Sequence, residues 1–186
     1  LTAWVLMTNH FHLVIHTREA NLSRGMHWLN GAYAGWFNHR HERSGHLFQG
    51  RFKSFLVEKE SYFREVLRYV VLNPVRAKMV ERPEDYRWSS YRSTAGLDPV
   101  AEWLDVAAVL GLFDNDQVVA QRLYADFVLA KVESSACLWD SAINGIYLGT
   151  EAWAKRIRRI VESKPRSSDH PKAHLAVGRP NMPAIV

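Results

Sequence analysis

The first sixteen residues constrain the fold most strongly. The stretch Trp4–His16 consists of two apolar runs joined at the polar pair Thr8-Asn9, a pattern typical of two antiparallel strands closed by a short turn. Side chains two positions apart on a strand share a face, so His10 and His12 are expected to point the same way while Phe11 points to the other side. The sequence therefore predicts a hairpin that holds two imidazoles close together.

Two neighbouring histidines on a strand permit two interpretations. Each can ligate a divalent metal through a neutral ring nitrogen, and two held this close can bind one ion. On its own, however, the pattern His10-Phe11-His12 more often belongs to ordinary histidines of a sheet. The residues farther along the chain decide between the two.

The first half of the chain is basic and rich in aromatic residues. Residues 1–92 contain 14 Lys and Arg against 8 Asp and Glu, a net charge of +6, whereas residues 93–163 carry −4 and residues 164–186 carry +3. This distribution favours a polyanionic partner, with nucleic acid first. The alternative is a solvated basic surface that binds nothing.

Cysteine usage and hydropathy exclude other classes of protein. Cys137 is the single cysteine among 186 residues, so a disulfide framework is excluded and a reducing, cytosolic setting is expected. No apolar run approaches the length of a membrane span. With 47% hydrophobic residues, the chain can bury a core.

Two segments follow the hairpin. Asn21 is predicted to cap a helix over residues 22–39. Residues 45–57 are predicted to be extended, with Arg51 and Lys53 on a polar face opposite an aromatic one. A basic stripe on a strand suits contact with a sugar-phosphate backbone, and an edge strand protected by charge is the alternative.

A second amphipathic helix carries a candidate nucleophile. It is predicted over residues 61–72, with Tyr69 and Asn73 one turn apart on one margin of the apolar face. Pro74 disfavours the helical conformation for the residue before it, so Asn73 is predicted to end this helix or to cap a following turn. A tyrosine at such a margin can instead be a core residue with a satisfied hydroxyl, and Tyr62 is the competing nucleophile on the same margin.

The remainder of the chain is acidic and helical as far as residue 163. Helices are predicted over residues 100–112, 115–131 and 151–163, and the basic residues 164–186, with four prolines, are predicted to form a disordered tail. The last helix carries four basic side chains, on a face that is either solvated or in contact with phosphates: Lys155, Arg156, Arg158 and Arg159.

Four blocks in a fixed order carry a family resemblance. They are Met7–Ile15, Gly45–Phe52, Tyr69–Ala77 and Trp88–Tyr91. Together they resemble the REP-associated tyrosine transposases, members of the single-tyrosine HUH (insertion-sequence) transposase family. The similarity is strong over residues 1 to about 92 and less specific in the helical remainder.

The resemblance implies a fold and a domain organisation. The fold is an α+β, ferredoxin-like antiparallel sheet with helices on one face, of which an earlier strand and helix are missing here, followed by a helical C-terminal extension. The catalytic domain would cover residues 1–92, the extension residues 93–163 and the tail residues 164–186. A cytoplasmic bacterial protein acting on nucleoid-associated DNA is expected, and a homodimer is compatible with the family.

The resemblance also implies residue roles. His10 and His12 match the ligands of a divalent metal, Mg²⁺ or Mn²⁺, Asn73 matches the residue that completes the metal shell, and Tyr69 matches the nucleophile. The implied reaction cuts and rejoins single-stranded, hairpin-containing DNA through a 5′-phosphotyrosine intermediate. The residues expected to contact DNA are Arg51, Lys53, His46 and Arg76, while Trp88 and Tyr91 would either stack on bases or pack against the sheet.

Two other functions are compatible with the same residues. One is a non-catalytic relic of such a transposase that still binds DNA hairpins. The other is a small hydrolytic metalloenzyme with no nucleic-acid partner, which the net charge of +6 in residues 1–92 argues against. A strong loss of DNA binding with rising salt would exclude the metalloenzyme.

Overall fold

The computed structural model of the protein describes residues 1–59, 61–132 and 138–163. These residues form an α+β fold, which confirms the predicted class. The strands and helices, in chain order, are β1 (Ala3–Leu6), β2 (Phe11–Val14), α1 (Leu22–Arg40), β3 (Leu56–Val57), α2 (Phe63–Arg76), α3 (Tyr91–Thr94), α4 (Val106–Leu110), α5 (Gln117–Leu129), β4 (Tyr147–Leu148) and α6 (Glu151–Ser163), with short 3₁₀ turns at Pro83–Asp85 and Leu138–Ser141.

The chain divides into two compact units. The first unit comprises Leu1–His16 and Lys59–Leu138, and the second comprises Thr17–Glu58 and Trp139–Val186. Each unit therefore combines segments distant in sequence, whereas the domains predicted from the resemblance are continuous; that domain division stays a prediction. The predicted disordered tail, residues 164–186, lies outside the described residues.

The predicted hairpin is confirmed in the first unit. Strands β1 and β2 are antiparallel, with Val5 opposite His12 and Leu6 opposite Phe11. The backbone N–H of Met7 donates to the carbonyl of His10 at 2.8 Å and closes the turn. His10 therefore lies at the end of the turn, immediately before β2.

Helix α2 covers one face of this hairpin and extends farther than predicted. It packs on β1 and β2 through its apolar side chains and continues to Arg76, with Pro74 inside the helix, so the predicted end at Asn73 is wrong. A proline cannot donate the hydrogen bond that the carbonyl of Val70 would receive in a regular helix. The Asn73 side chain compensates, because its Nδ2 donates to the carbonyls of Tyr69 at 2.9 Å and Val70 at 3.5 Å.

Residues 86–90 pair alongside β1 and widen the sheet without forming a regular strand. The carbonyl of Trp88 accepts from the N–H of Leu6, and the N–H of Ser90 donates to the carbonyl of Trp4, both at 2.9 Å. The hydroxyl of Tyr86 donates to the carbonyl of Leu6 at 2.7 Å. Strand β1 is thus held between β2 on one side and residues 86–90 on the other.

The helices after residue 90 match the predictions unequally. The predicted helix over residues 115–131 is α5, capped by the Asp116 carboxylate, which accepts from the N–H of Val119. The predicted helix over residues 100–112 is wrong in its start, since only Val106–Leu110 is helical. Asp105 accepts from the N–H of Ala108 and begins the helix there.

The second unit contains α1, which confirms the predicted helix to within one residue, and a small core near β3 and β4. These strands are parallel, with Leu56 opposite Tyr147. Of the predicted extended segment over residues 45–57, only β3 is a strand. Alternating side chains alone were not enough to predict a strand over this segment, because a strand also needs a partner to pair with. Strand β4 pairs with Leu56 and Val57 only. Within the residues that the structure describes, no helix is long and apolar enough to cross a membrane.

Candidate functional site

The two histidines of the hairpin lie side by side, as predicted. The ring centres of His10 and His12 are 5.0 Å apart and their planes are perpendicular. Asn9 contributes a contact that the sequence did not reveal, because its side-chain oxygen lies 2.7 Å from Nδ1 of His10. With the proton on Nδ1 donated to Asn9, the Nε2 lone pair of His10 is available to a ligand.

Burial keeps both imidazoles neutral at neutral pH. It lowers the pKa of His10, and it lowers the pKa of His12 to about 4, with the neighbouring His10 adding to the shift. Neutral imidazole is the form that ligates metals. Within residues 1–59, 61–132 and 138–163, no three His, Cys, Asp or Glu side chains cluster as a metal site.

Tyr69, on helix α2, lies close to His12 of this histidine pair. Its ring centre lies 6.1 Å from that of His12, with the two planes perpendicular. The helix, which packs on β1 and β2, buries side chains such as Leu67 and Val70 and leaves Tyr69 half-buried at the margin. Tertiary packing therefore joins two predicted site residues that are 57 positions apart.

Arg76 lies on the same helix, two turns after Tyr69. The central carbon of its guanidinium lies 4.6 Å from the centre of the Tyr69 ring, within the range of a cation–π contact. Asn73 lies between them in sequence and hydrogen-bonds back to the carbonyl of Tyr69. The first unit thus contains five of the residues singled out in the sequence: His10, His12, Tyr69, Asn73 and Arg76.

The other predicted DNA contacts lie in the second unit. His46, Arg51 and Lys53 are exposed residues of the irregular segment before β3. The sequence placed Arg51 and Lys53 on one face of a strand, and that basis is wrong because the segment is not a strand. Their role as DNA contacts stays a prediction that rests on exposure and charge.

The two aromatic candidates of residues 88–91 have different environments. Tyr91 is 2% exposed, and burial raises its pKa to about 12, so it is a core residue that cannot stack on a base. Trp88 is half-exposed, with the guanidinium carbon of Arg87 at 4.7 Å from its ring centre. Of the two, only Trp88 is open to a ligand.

Removing the Tyr86 hydroxyl should loosen the hairpin that carries the histidines. We expect Tyr86→Phe to lower the free energy of unfolding by about 0.5–1 kcal/mol. It should also speed hydrogen exchange at the amide of Leu6, which donates to the carbonyl of Trp88, because the bond from the Tyr86 hydroxyl to the Leu6 carbonyl is lost. Ser93→Ala is the control, since Ser93 donates to the carbonyl of Pro99 at 3.0 Å, away from the hairpin. Equal exchange at the Leu6 amide in both variants would contradict this positioning role.

Stability should depend on pH through His12. Its pKa is 6.5 when unperturbed and about 4 when folded, so between these values the unfolded chain binds more protons. The contribution of the neutral imidazole is therefore complete above about pH 6.5 and decreases as the pH falls toward 4, by an amount on the order of 2 kcal/mol. Urea unfolding in chelator at pH 7 and pH 4.5 should show the decrease, and His12→Gln should remove much of it. An unchanged pH dependence in that variant would contradict the assignment.

Comparison with known proteins identifies the segment that contains the histidines and the tyrosine. The family model described as "Transposase IS200 like" matches residues 1–73. No curated protein and no solved structure matches the chain significantly. The matched segment runs from the start of the chain through the hairpin and most of α2, and it includes His10, His12, Tyr69 and Asn73. Residues 1–73 of this chain are therefore similar to the family of IS200-like transposases.

Proposed function

We propose that the protein is a metal-dependent DNA strand transferase that cuts and rejoins single-stranded, hairpin-containing DNA. The observation that supports this most directly is the environment of Tyr69, whose ring lies 6.1 Å from the ring of His12 and 4.6 Å from the guanidinium carbon of Arg76. A tyrosine with imidazoles and a cation close by suits attack on a phosphodiester, because positive charge stabilises the anionic transition state.

The proposed reaction needs no reactant besides Tyr69, the DNA strand and the protons of the solvent. The Tyr69 hydroxyl oxygen attacks phosphorus, and the bond from phosphorus to the 3′ oxygen breaks. The products are a 5′-phosphotyrosine and a free 3′-OH, because the phenol proton leaves to solvent and the departing oxygen gains one. Attack by another 3′-OH on the phosphotyrosine reverses the step, so rejoining needs no ATP.

The histidine pair and Asn73 fit a divalent metal by the chemistry of their donor atoms. Both imidazoles are neutral at pH 7, and the contact with Asn9 leaves Nε2 of His10 as a donor. Asn73 would contribute its side-chain oxygen while its Nδ2 remains bonded to the helix backbone. A bound Mg²⁺ or Mn²⁺ would polarise the scissile phosphate. Imidazole ligands suit Mn²⁺ better than Mg²⁺, which prefers an all-oxygen shell.

Basic side chains of both units would contact the DNA strand. Arg76 would meet a phosphate near Tyr69, and its guanidinium carbon, 4.6 Å from the centre of that ring, supports this proposal. His46, Arg51 and Lys53 are proposed to contact the sugar-phosphate backbone, which is the part of DNA that basic side chains bind without regard to sequence.

The direct test is covalent capture of DNA. Wild-type protein is incubated with single-stranded hairpin oligonucleotides in Mn²⁺ or Mg²⁺, and denaturing gels are examined for a protein–DNA adduct and a shortened strand. We expect both products, and we expect a chelator to abolish them. Hairpin binding that is weakened by salt but never yields an adduct would contradict the strand-transferase function and support a non-catalytic hairpin-binding protein.

A further inference from the structure

Helix α1 exposes an unusual number of large aromatic side chains. Trp28 is 71% exposed, Tyr33 48% and Trp36 54%, and Met26 is the one buried side chain of this helix, every residue of which is described. Tyr33 and Trp36 are three positions apart and therefore neighbours on the helix surface, with ring centres separated by 5.8 Å. Soluble proteins rarely expose such a group of rings unless it binds something.

Arginine side chains lie beside these rings, and helix α1 itself carries no acidic side chain. The guanidinium carbon of Arg40 lies 5.7 Å from the Trp36 ring centre, and that of Arg43 lies 5.8 Å from the Phe37 ring centre. Helix α1 has no Asp or Glu among its 19 residues. In the described parts of the second unit, residues 17–58 and 139–163, ten Lys and Arg stand against six Asp and Glu, a net charge of +4.

We propose that this face of α1 is a docking surface for unpaired, single-stranded DNA. Bases of any sequence stack on exposed aromatic rings, and arginines beside the rings neutralise the phosphates that accompany the bases. The absence of acids on α1 favours a polyanion over a second protein surface, for which complementary charges of both signs would be expected. The aromatic–arginine surface is defined by Trp28, Tyr33, Trp36 and Arg40.

This surface is distinct from the histidine–tyrosine site and requires no cleavage. It belongs to the second unit, whereas His10, His12 and Tyr69 belong to the first. It extends the proposed function, because a strand transferase must hold unpaired DNA beyond the hairpin that it cuts. Binding by the surface and adduct formation at Tyr69 can nevertheless succeed or fail independently.

The test measures binding of an unstructured probe under conditions without cleavage. Fluorescence anisotropy of labelled oligothymidylate is followed in chelator with the full chain and with Trp36→Ala, Trp28→Ala and Trp103→Ala. Trp103 is the matched control because it is 58% exposed but lies in the first unit, where its ring packs at 6.0 Å from that of Trp4. Alanine favours helix, so the α1 variants should fold.

We expect Trp36→Ala to weaken oligothymidylate binding about tenfold or more, as loss of a stacked base does, and Trp103→Ala to change it less than about twofold. Arg40→Gln should reduce the slope of log affinity against log salt concentration by about 0.7, the contribution of one phosphate on a single strand. The control variant Arg122→Gln, which changes an exposed arginine of the first unit, should leave this slope unchanged. A tighter complex with duplex than with single-stranded DNA would overturn the proposal.

Two further results would also overturn it. One is equal affinity in Trp36→Ala and Trp103→Ala. The other is a fall in molar mass from dimer to monomer in Trp36→Ala with unchanged DNA affinity, which would assign the surface to a second copy of the chain. Because the binding assay contains chelator, a failure of cleavage at Tyr69 would not affect its outcome.

Discussion

Replacing Tyr69 with phenylalanine is expected to abolish the covalent protein–DNA adduct and to lower strand cleavage at least about 1000-fold. The substitution removes the oxygen that is proposed to attack phosphorus, so the covalent intermediate cannot form at this residue. Phenylalanine retains the ring that contacts His12 and Arg76, so the local packing should survive. Denaturing gels measure the adduct, and a gel shift in chelator should show unchanged binding of the hairpin.

Tyr62→Phe is the matched control for this experiment. Tyr62 is half-buried at the N-cap of α2, two turns before Tyr69 on the same helix. It should form the adduct at close to the wild-type rate. If Tyr69→Phe still forms the adduct and Tyr62→Phe does not, the nucleophile has been assigned to the wrong turn of the helix.

Replacing His12 with glutamine is expected to lower Mn²⁺-dependent cleavage at least about 100-fold. The loss follows because one of two imidazole donors disappears, and even changes in residues that only orient metal ligands weaken binding about 10- to 100-fold. The affinity for Mn²⁺, measured by the paramagnetic broadening of nearby NMR signals or by calorimetry, should fall together with cleavage. Removing the metal from wild-type protein with a chelator should produce the same loss.

His16→Gln separates this effect from a general loss of histidine. His16 follows β2 on the same segment and is exposed. Its replacement should leave both Mn²⁺ affinity and cleavage within about twofold of wild type, as for most surface substitutions. If cleavage by His12→Gln remains rapid and still responds to chelator, the metal is held by other residues.

Local features of the sequence were enough to predict several elements. The hairpin, α1 and α6 follow from alternation and helical periodicity, and the predicted bounds of both helices agree with the structure to within one residue. The predicted cap of α1 is wrong in one respect, because Asn21 precedes the helix but its side chain makes no capping hydrogen bond. The predictions failed where a distant partner decides the outcome. Residues 45–55 show strand-like alternation but have no partner strand among the residues that the structure describes, and β3 forms where β4, some 90 positions later, pairs with it.

The end of α2 shows a different kind of failure. Pro74 correctly signalled a missing hydrogen bond, but the side chain of Asn73 satisfies the carbonyls of Tyr69 and Val70 and allows the helix to continue to Arg76. That extra turn brings Arg76 onto the Tyr69 ring. The competition between a local side-chain bond and a backbone preference could not be read from propensities alone.

The sequence by itself determined the parts of the site that repeat over a few residues. His10 and His12 lie together because an extended chain has a period of two, and Tyr69 lies near Asn73 because a helix repeats every 3.6 residues. Only the tertiary structure decided that His12 meets Tyr69 and that Tyr86 holds Leu6, contacts that span 57 and 80 positions. The reason is physical: such contacts depend on which apolar faces bury each other, and that choice is made by the packing of the whole unit.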